Sequence, residues 1–268
     1  MELFFVHHNP PIGRRSKEEL MKLFFLTLAA LLTFAGAAFA ADNLPLKEGF
    51  RFGLEGSYNS LELGVKSFGG YPLHLSMAVA ELGYAKGMFD LTVRGGLAKA
   101  TVEGLIEPLG DVSDTSPMFG ATLKILPYKG DRFQLGLVGT ANRITDLEHN
   151  ISGVVVGYPV DVHSEISKVW IFEGAVIGQY EVVDNTLAIY AGPKYRDVNA
   201  TSAVAALYDI EGTPTLLANE ARADNKNPLG AVVGLTYAPE RAYIPAITAQ
   251  GELFGSNAAA GLNLSWTF

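Results

Sequence analysis

From residue 41 onward, hydrophobic and polar side chains alternate over long stretches of the chain. The clearest case is the C-terminus, where Ala260, Leu262, Leu264, Trp266 and Phe268 alternate with Gly261, Asn263, Ser265 and Thr267. A period of two is the signature of a β-strand with one apolar and one polar face. The pattern recurs in Phe50, Phe52 and Leu54 against Arg51, Gly53 and Glu55. It returns in Phe89, Leu91 and Val93 against Asp90, Thr92 and Arg94, and in Phe133, Leu135 and Leu137 against Gln134, Gly136 and Val138. With 29 glycines in the chain, long amphipathic helices are disfavoured, since each glycine costs about 1 kcal/mol there relative to alanine.

Segments of this kind predict strands near 48–58, 75–85, 88–99, 116–126, 131–141, 166–181, 186–196, 230–238, 242–252 and 257–268. The links between them sort by length. Lys86-Gly87, Pro127 to Gly130, Val183 to Asn185 and Pro239-Glu240-Arg241 are short, whereas 59–74, 100–115, 142–165 and 197–229 are long and polar; 253–256 is a short outer loop. Short and long links in succession are what an all-β, transmembrane up-and-down antiparallel β-barrel requires, with short turns on the periplasmic side and long loops outside. The expected strand number is about 10, within ~8 to ~12. A soluble β-sandwich would share the alternation but gives no reason for the order of the loops. Tyr84, Tyr128, Tyr180, Tyr237, Tyr243, Trp266 and Phe268 fall at expected periplasmic strand ends, where their rings would form an interfacial girdle.

The N-terminal region reads differently. Met21-Lys22, the apolar run Leu23 to Phe34, and Ala38-Phe39-Ala40 form the charged start, apolar middle and cleavage site of a secretory signal peptide. Residues 21–40 are therefore expected to be removed after Ala40, leaving 41–268 as the barrel domain. Residues 1–20, with His7, His8 and the cluster Arg14-Arg15-Ser16-Lys17, do not fit in front of a signal peptide and are read as an extension upstream of a true start at Met21. Lys17-Glu18-Glu19 can be encoded by a purine-rich stretch of the kind that precedes bacterial start codons.

Composition narrows the chemistry. The chain has no cysteine, which excludes disulfides, thiolate metal sites and a lipid-modified N-terminal cysteine. A formal charge of −8 argues against nucleic acid as a partner. No cofactor motif is present. If the apolar face of each strand meets lipid, Arg51, Glu55, Glu81, Asp90, Arg94, Lys124, Glu173, Glu181, Lys194 and Arg196 face the lumen. Both signs are nearly balanced there, so a lumen crossed by ion pairs is expected, with a narrow gated pore as the alternative.

Leu262, Leu264, Trp266 and Phe268, with Phe as the last residue, resemble the terminal assembly signal of Gram-negative outer-membrane β-barrel proteins. The resemblance implies export to the outer membrane, recognition by the barrel-assembly machinery and periplasmic chaperones, and contact with outer-membrane lipid and lipopolysaccharide. Strand number also resembles the omptin surface proteases, but no closely spaced Asp pair stands at a strand end. Nor is there the His-Ser pair of the lipid A deacylases, since no strand centre carries His.

Other candidate chemistry lies in the expected outer loops. Asp161, His163 and Ser164 supply a carboxylate, an imidazole and a hydroxyl, yet on a strand Ser164 would point away from the other two. The loop acids are Glu103, Glu107, Asp111 and Asp114, then Asp146, Glu148, Asp161 and Glu165, and finally Asp197, Asp209, Glu211, Glu220 and Asp224. They suit divalent cations shared with lipopolysaccharide, without the spacing of a calcium loop. The run Thr215 to Ala223 is compatible with a helix that folds inward as a plug or outward as a contact surface. The leading expectation is a non-enzymatic structural or interaction barrel with surface-exposed loops; a narrow channel for small solutes or ions comes second and a surface enzyme third.

Overall fold

A computed structural model of the chain describes residues 42–65, 69–106, 110–155, 158–210, 213–241 and 243–268. The expected signal peptide, with Ala38 and Ala40, lies outside the described residues. Twelve strands follow in order: β1 (Gly49–Val65), β2 (Gly69–Lys86), β3 (Phe89–Ile106), β4 (Gly110–Lys129), β5 (Phe133–Ile144), β6 (Leu147–Val155), β7 (Tyr158–Val183), β8 (Leu187–Ile210), β9 (Thr213–Asn225), β10 (Leu229–Tyr237), β11 (Ala246–Phe254) and β12 (Asn257–Thr267). Ten of them form a closed antiparallel wall in the order β1-β2-β3-β4-β5-β7-β8-β10-β11-β12, and β12 pairs back onto β1.

Closure gives each of the ten wall strands a partner on both sides, the condition for a sheet to cross hydrocarbon. At the seam Phe52 lies opposite Trp266 and Leu54 opposite Leu264, and the Phe52 and Trp266 rings stack at 5.9 Å. Phe268 N–H donates to Phe50 O at 2.8 Å, which ties the last residue into the wall. Tight turns join the strands at one end. Gly87 (φ 59°), between β2 and β3, and Asn185 (φ 54°), between β7 and β8, adopt the left-handed conformation that such turns need.

Lipid-facing and lumen-facing residues alternate as expected. On β1 the outward residues Phe52, Leu54 and Tyr58 are exposed while Glu55, Ser57 and Asn59 are buried inside. The eight steps from Phe50 to Tyr58 span about 20 Å of height, at ~3.3 Å each and a tilt of ~40°, close to the apolar band of outer-membrane barrels. Tyr84, Tyr128, Tyr180, Tyr237 and Tyr243 are exposed at the turn end of this band. So large an apolar exterior needs hydrocarbon as its solvent.

Above the band, the strands continue where long loops were expected at 59–74, 100–115, 142–165 and 197–229. Alternation persists there with its sense reversed. On β1, Ser60 and Glu62 now face out and Leu61 is buried; on β8, Asp197 and Asn199 alternate with buried Val198 and Ala200. Polar residues on the outer side made these stretches look like loops, although they are strands with water outside and an apolar interior. Thr215 to Ala223 is likewise not a helix. It belongs to β9, which pairs with β8 from Asn199 to Ile210 and with β1 at Leu63 to Val65. Neighbouring strands satisfy its backbone, which overrides helical propensity. By reaching β1, β9 links β8 to β1 above the shorter β10, β11 and β12. On β7 a bulge at Lys168 (φ 54°) inserts the extra residue that keeps both Val162 and Val169 inside.

One further boundary differs. The strand expected at 242–252 begins at Ala246, because Pro245 has no N–H to give to a ladder.

The reversal fixes a testable asymmetry. Leu123→Arg, on the lipid-facing side of β4, is expected to destabilise the folded barrel by about 2–4 kcal/mol, and Ser60→Arg, just above the band, to leave stability within ~0.5 kcal/mol of the parent. Urea titrations of folding into lipid vesicles measure both.

Candidate functional site

The lumen is filled in three layers. At the turn end, residues 42–48 leave the wall and run up inside it. Asp42, Leu44 and Leu46 are buried in alternation with Asn43, Pro45 and Lys47, and the chain bends at Leu46 and Lys47. Asp42 N–H donates to Gln250 Oε1 at 2.9 Å. Gln179 pairs with Leu44 through both ends of its amide, accepting the N–H at 2.9 Å and donating to the carbonyl at 3.3 Å. Lys124 Nζ donates to Asn43 O at 2.6 Å. Leu44 is fully buried among Leu126, Val138, Ala175, Ile177, Tyr190 and Val232. It rests on Gly136, where an added Cβ would lie 2.3 Å from Leu44 Cδ2.

The middle layer is ionic. Lys194 Nζ lies 2.7 Å from Asp42 Oδ2, 2.6 Å from Glu252 Oε1 and 3.3 Å from Glu173 Oε2. Arg196 Nε lies 2.6 Å from Glu173 Oε1, and its Nη2 bonds Glu252. The guanidinium covers the Phe254 ring at 4.1 Å, adding a cation–π contact. Across the lumen Arg94 pairs with Glu55 and, at 3.5 Å, with Glu81; Asn263 bridges both carboxylates at 3.3 and 2.9 Å. Arg51 pairs with Asp90 at 3.0 Å, while Gln134 donates to Glu181 at 2.9 Å. Each charge thus meets an opposite charge or a hydrogen-bonding group, the condition for keeping ions out of water.

The outer layer is apolar. Leu61, Leu75, Met77, Ile144, Ile171 and Val198 are among its core and are nearly inaccessible. The void they enclose is about 20 Å³, on the scale of a single water. The polar void beside Asn43, Glu81 and Lys124 is also about 20 Å³, and the one at the turn-end mouth about 40 Å³.

The structure thus places Glu55, Glu81, Asp90, Arg94, Lys124, Glu173, Glu181, Lys194 and Arg196 inside the wall and buried, with Arg51 partly exposed toward the mouth. Leu262, Leu264 and Trp266 line the outer face of β12 at the seam, and Phe268 is exposed at the rim. Asp161 and His163 are exposed on β7, where His163 Nδ1 shares a hydrogen bond with Asn150 at 2.7 Å. His74 is bound to the Tyr58 hydroxyl at 2.6 Å. Asp114 and Asp146 accept main-chain N–H groups of Glu148 and Lys168, and Glu107 and Glu211 lie outside the described residues. Among the described residues no three His, Asp or Glu are grouped to hold a metal ion.

Sequence reasoning missed the internal segment, Glu252, Gln179 and Gln250. The alternation of Asp42, Leu44 and Leu46 ahead of the first strand was a usable signal; Gln179 and Gln250 occupy inward parity but carry no charge to single them out.

No family model and no curated protein matches the sequence. Among solved structures, the chain is similar to the translocator domain of autotransporter NalP from Neisseria meningitidis, with 12% identity over 94% of this chain and 97% of that one at a TM-score of 0.45. It is also similar to the toluene transporter TodX from Pseudomonas putida, with 10% identity over 82% and 68% at 0.40. A third likeness is to the outer membrane protease OmpT from Escherichia coli, with 9% identity over 85% and 99% at 0.41. Their roles differ, and at these values none is carried over. The chain folds as an outer-membrane-type barrel. That statement rests on its own closed ladder and apolar exterior.

Arg196→Met removes one guanidinium from between two buried carboxylates and is expected to destabilise the barrel by about 3–5 kcal/mol. Arg132→Ala breaks an exposed pair with Asp184 and is expected to leave the midpoint unchanged. Denaturant unfolding in detergent, followed by tryptophan fluorescence, compares the two.

Proposed function

We propose that the protein is a structural and interaction barrel of the Gram-negative outer membrane, closed to ions and solutes, whose raised strands meet lipopolysaccharide and other surfaces outside the cell. The observation that carries this reading is the filled lumen. Three successive layers, a peptide segment, an ionic network and an apolar cap, fill it, and the voids beside them among the described residues are about 20 to 40 Å³. An ion crossing the cap would lose its hydration where the described lining is leucine, isoleucine, valine and alanine.

Raised strands suit contact better than loops do. The β7–β8–β9 sheet carries its own ladder beyond the membrane band, so its backbone is ordered before any partner arrives and binding need not supply that order. The pattern ending in Trp266 and Phe268 fits assembly by the envelope's barrel-insertion machinery, on the strength of the resemblance in the last strand.

Planar lipid bilayers test the closed reading. Folded protein is expected to insert without steady conductance steps at moderate voltage; reproducible single-channel steps would overturn it in favour of a narrow pore.

A further inference from the structure

The segment 42–48 occupies its place as a ligand occupies a receptor. Among the described strand pairings none includes these residues; side chains projecting from six different wall strands hold them instead. Three of those side chains, Gln179, Gln250 and Lys124, bind main-chain groups, which any extended peptide offers. Selectivity comes from three alternate positions. Asp42 meets Lys194, Leu44 fills the hollow over Gly136, and Leu46 packs on Ala188 and Ala238. Carboxylate, Leu and Leu at every second residue match an extended strand whose inward side chains sit in pockets.

The attachment to the wall is narrow. The chain turns from lumen to wall at Gly49, whose φ of 132° is open to glycine and strained for other residues. An added Cβ there would also lie 2.4 Å from Phe268 O. Glu48, just before it, is exposed at the mouth. The voids at the mouth and beside Lys124 share Asn43, Arg51 and Ser265, so they lie next to each other along the segment.

We propose that the turn-end half of the lumen is a binding site for an extended peptide of the pattern Asp-x-Leu-x-Leu. Residues 42–46 are its tethered occupant, and a peptide of the same chemistry entering from the periplasm can replace them. The apolar cap above is untouched by the exchange, so the site is a receptor facing the periplasm rather than a gate, and it stands whether or not the barrel conducts.

A variant lacking residues 42–47 tests this against a synthetic peptide of the sequence 42–47 with a dye at its C-terminal end, read by fluorescence anisotropy. Saturable binding is expected for the variant, with at least ~10-fold weaker binding when the peptide carries Leu44→Ser, since serine leaves the leucine pocket unfilled. The full chain, its site occupied, should bind at least ~10-fold more weakly than the variant. Compact, heat-sensitive migration on gels shows that the barrel is folded. Should the deletion not fold, the full chain with Asp42→Asn and Leu44→Ser, its own anchors removed, takes its place and is expected to bind the same peptide. A folded variant of either kind that fails to bind it, or binds the Leu44→Ser peptide equally well, overturns the proposal.

Discussion

A peptide group inside hydrocarbon has to find its hydrogen-bond partner within the protein, and the rest of this molecule is arranged around that requirement. The pairing of β12 with β1 removes the last open edge of the ten-strand wall. Once the sheet is a cylinder, each strand must divide its side chains between two environments, and the two-residue repeat gives every second residue to lipid. Polar and charged side chains are then left for an interior that water can scarcely enter, and ion pairing follows because an isolated charge there would be too costly. The network around Lys194, Arg196, Glu173 and Glu252 is thus a consequence of closure more than an added device.

Ten strands leave a modest bore, and a bore of this size can be filled by side chains with some help. Glycine at Gly136 and short residues such as Ala175 on the wall leave room that the segment from Asp42 to Leu46 takes up. Higher up, β9 stands between β8 and β1 in place of three wall strands. Leucine, isoleucine and valine then suffice to pack the interior, as in a water-soluble barrel.

The wall was legible in the sequence wherever the apolar parity faced lipid. Phe50, Phe52 and Leu54, or Leu262, Leu264 and Trp266, announce both the strand and its outward side, and the parity of Glu55, Arg94 and Lys194 follows from them. What was not legible had one of two physical causes. Above the membrane band, Ser60, Glu62, Asp197 and Asn199 carry the outward positions, so the polarity that marks a loop was produced by a strand facing water. In front of β1, Asp42 to Leu46 gain their structure from partners 81 to 208 residues away, such as Lys124, Gln179 and Gln250. Local pattern holds no record of such distant contacts. The charged residues on the wall could be read as inward, but which carboxylate meets which cation depends on the register between strands.

The reversal of polarity along single strands also sets how deeply the cylinder sits. A uniform band can ride up or down in a bilayer at modest cost, but here the outward row changes within two residues from Tyr58 to Ser60 and Glu62, and from Tyr195 to Asp197. Sinking by one such step would draw carboxylates into hydrocarbon, and rising by one would lift aromatic rings into water. The molecule therefore carries its own waterline, written on strands such as β1 and β8, and the height of its outer surface above the headgroups is set by the wall itself.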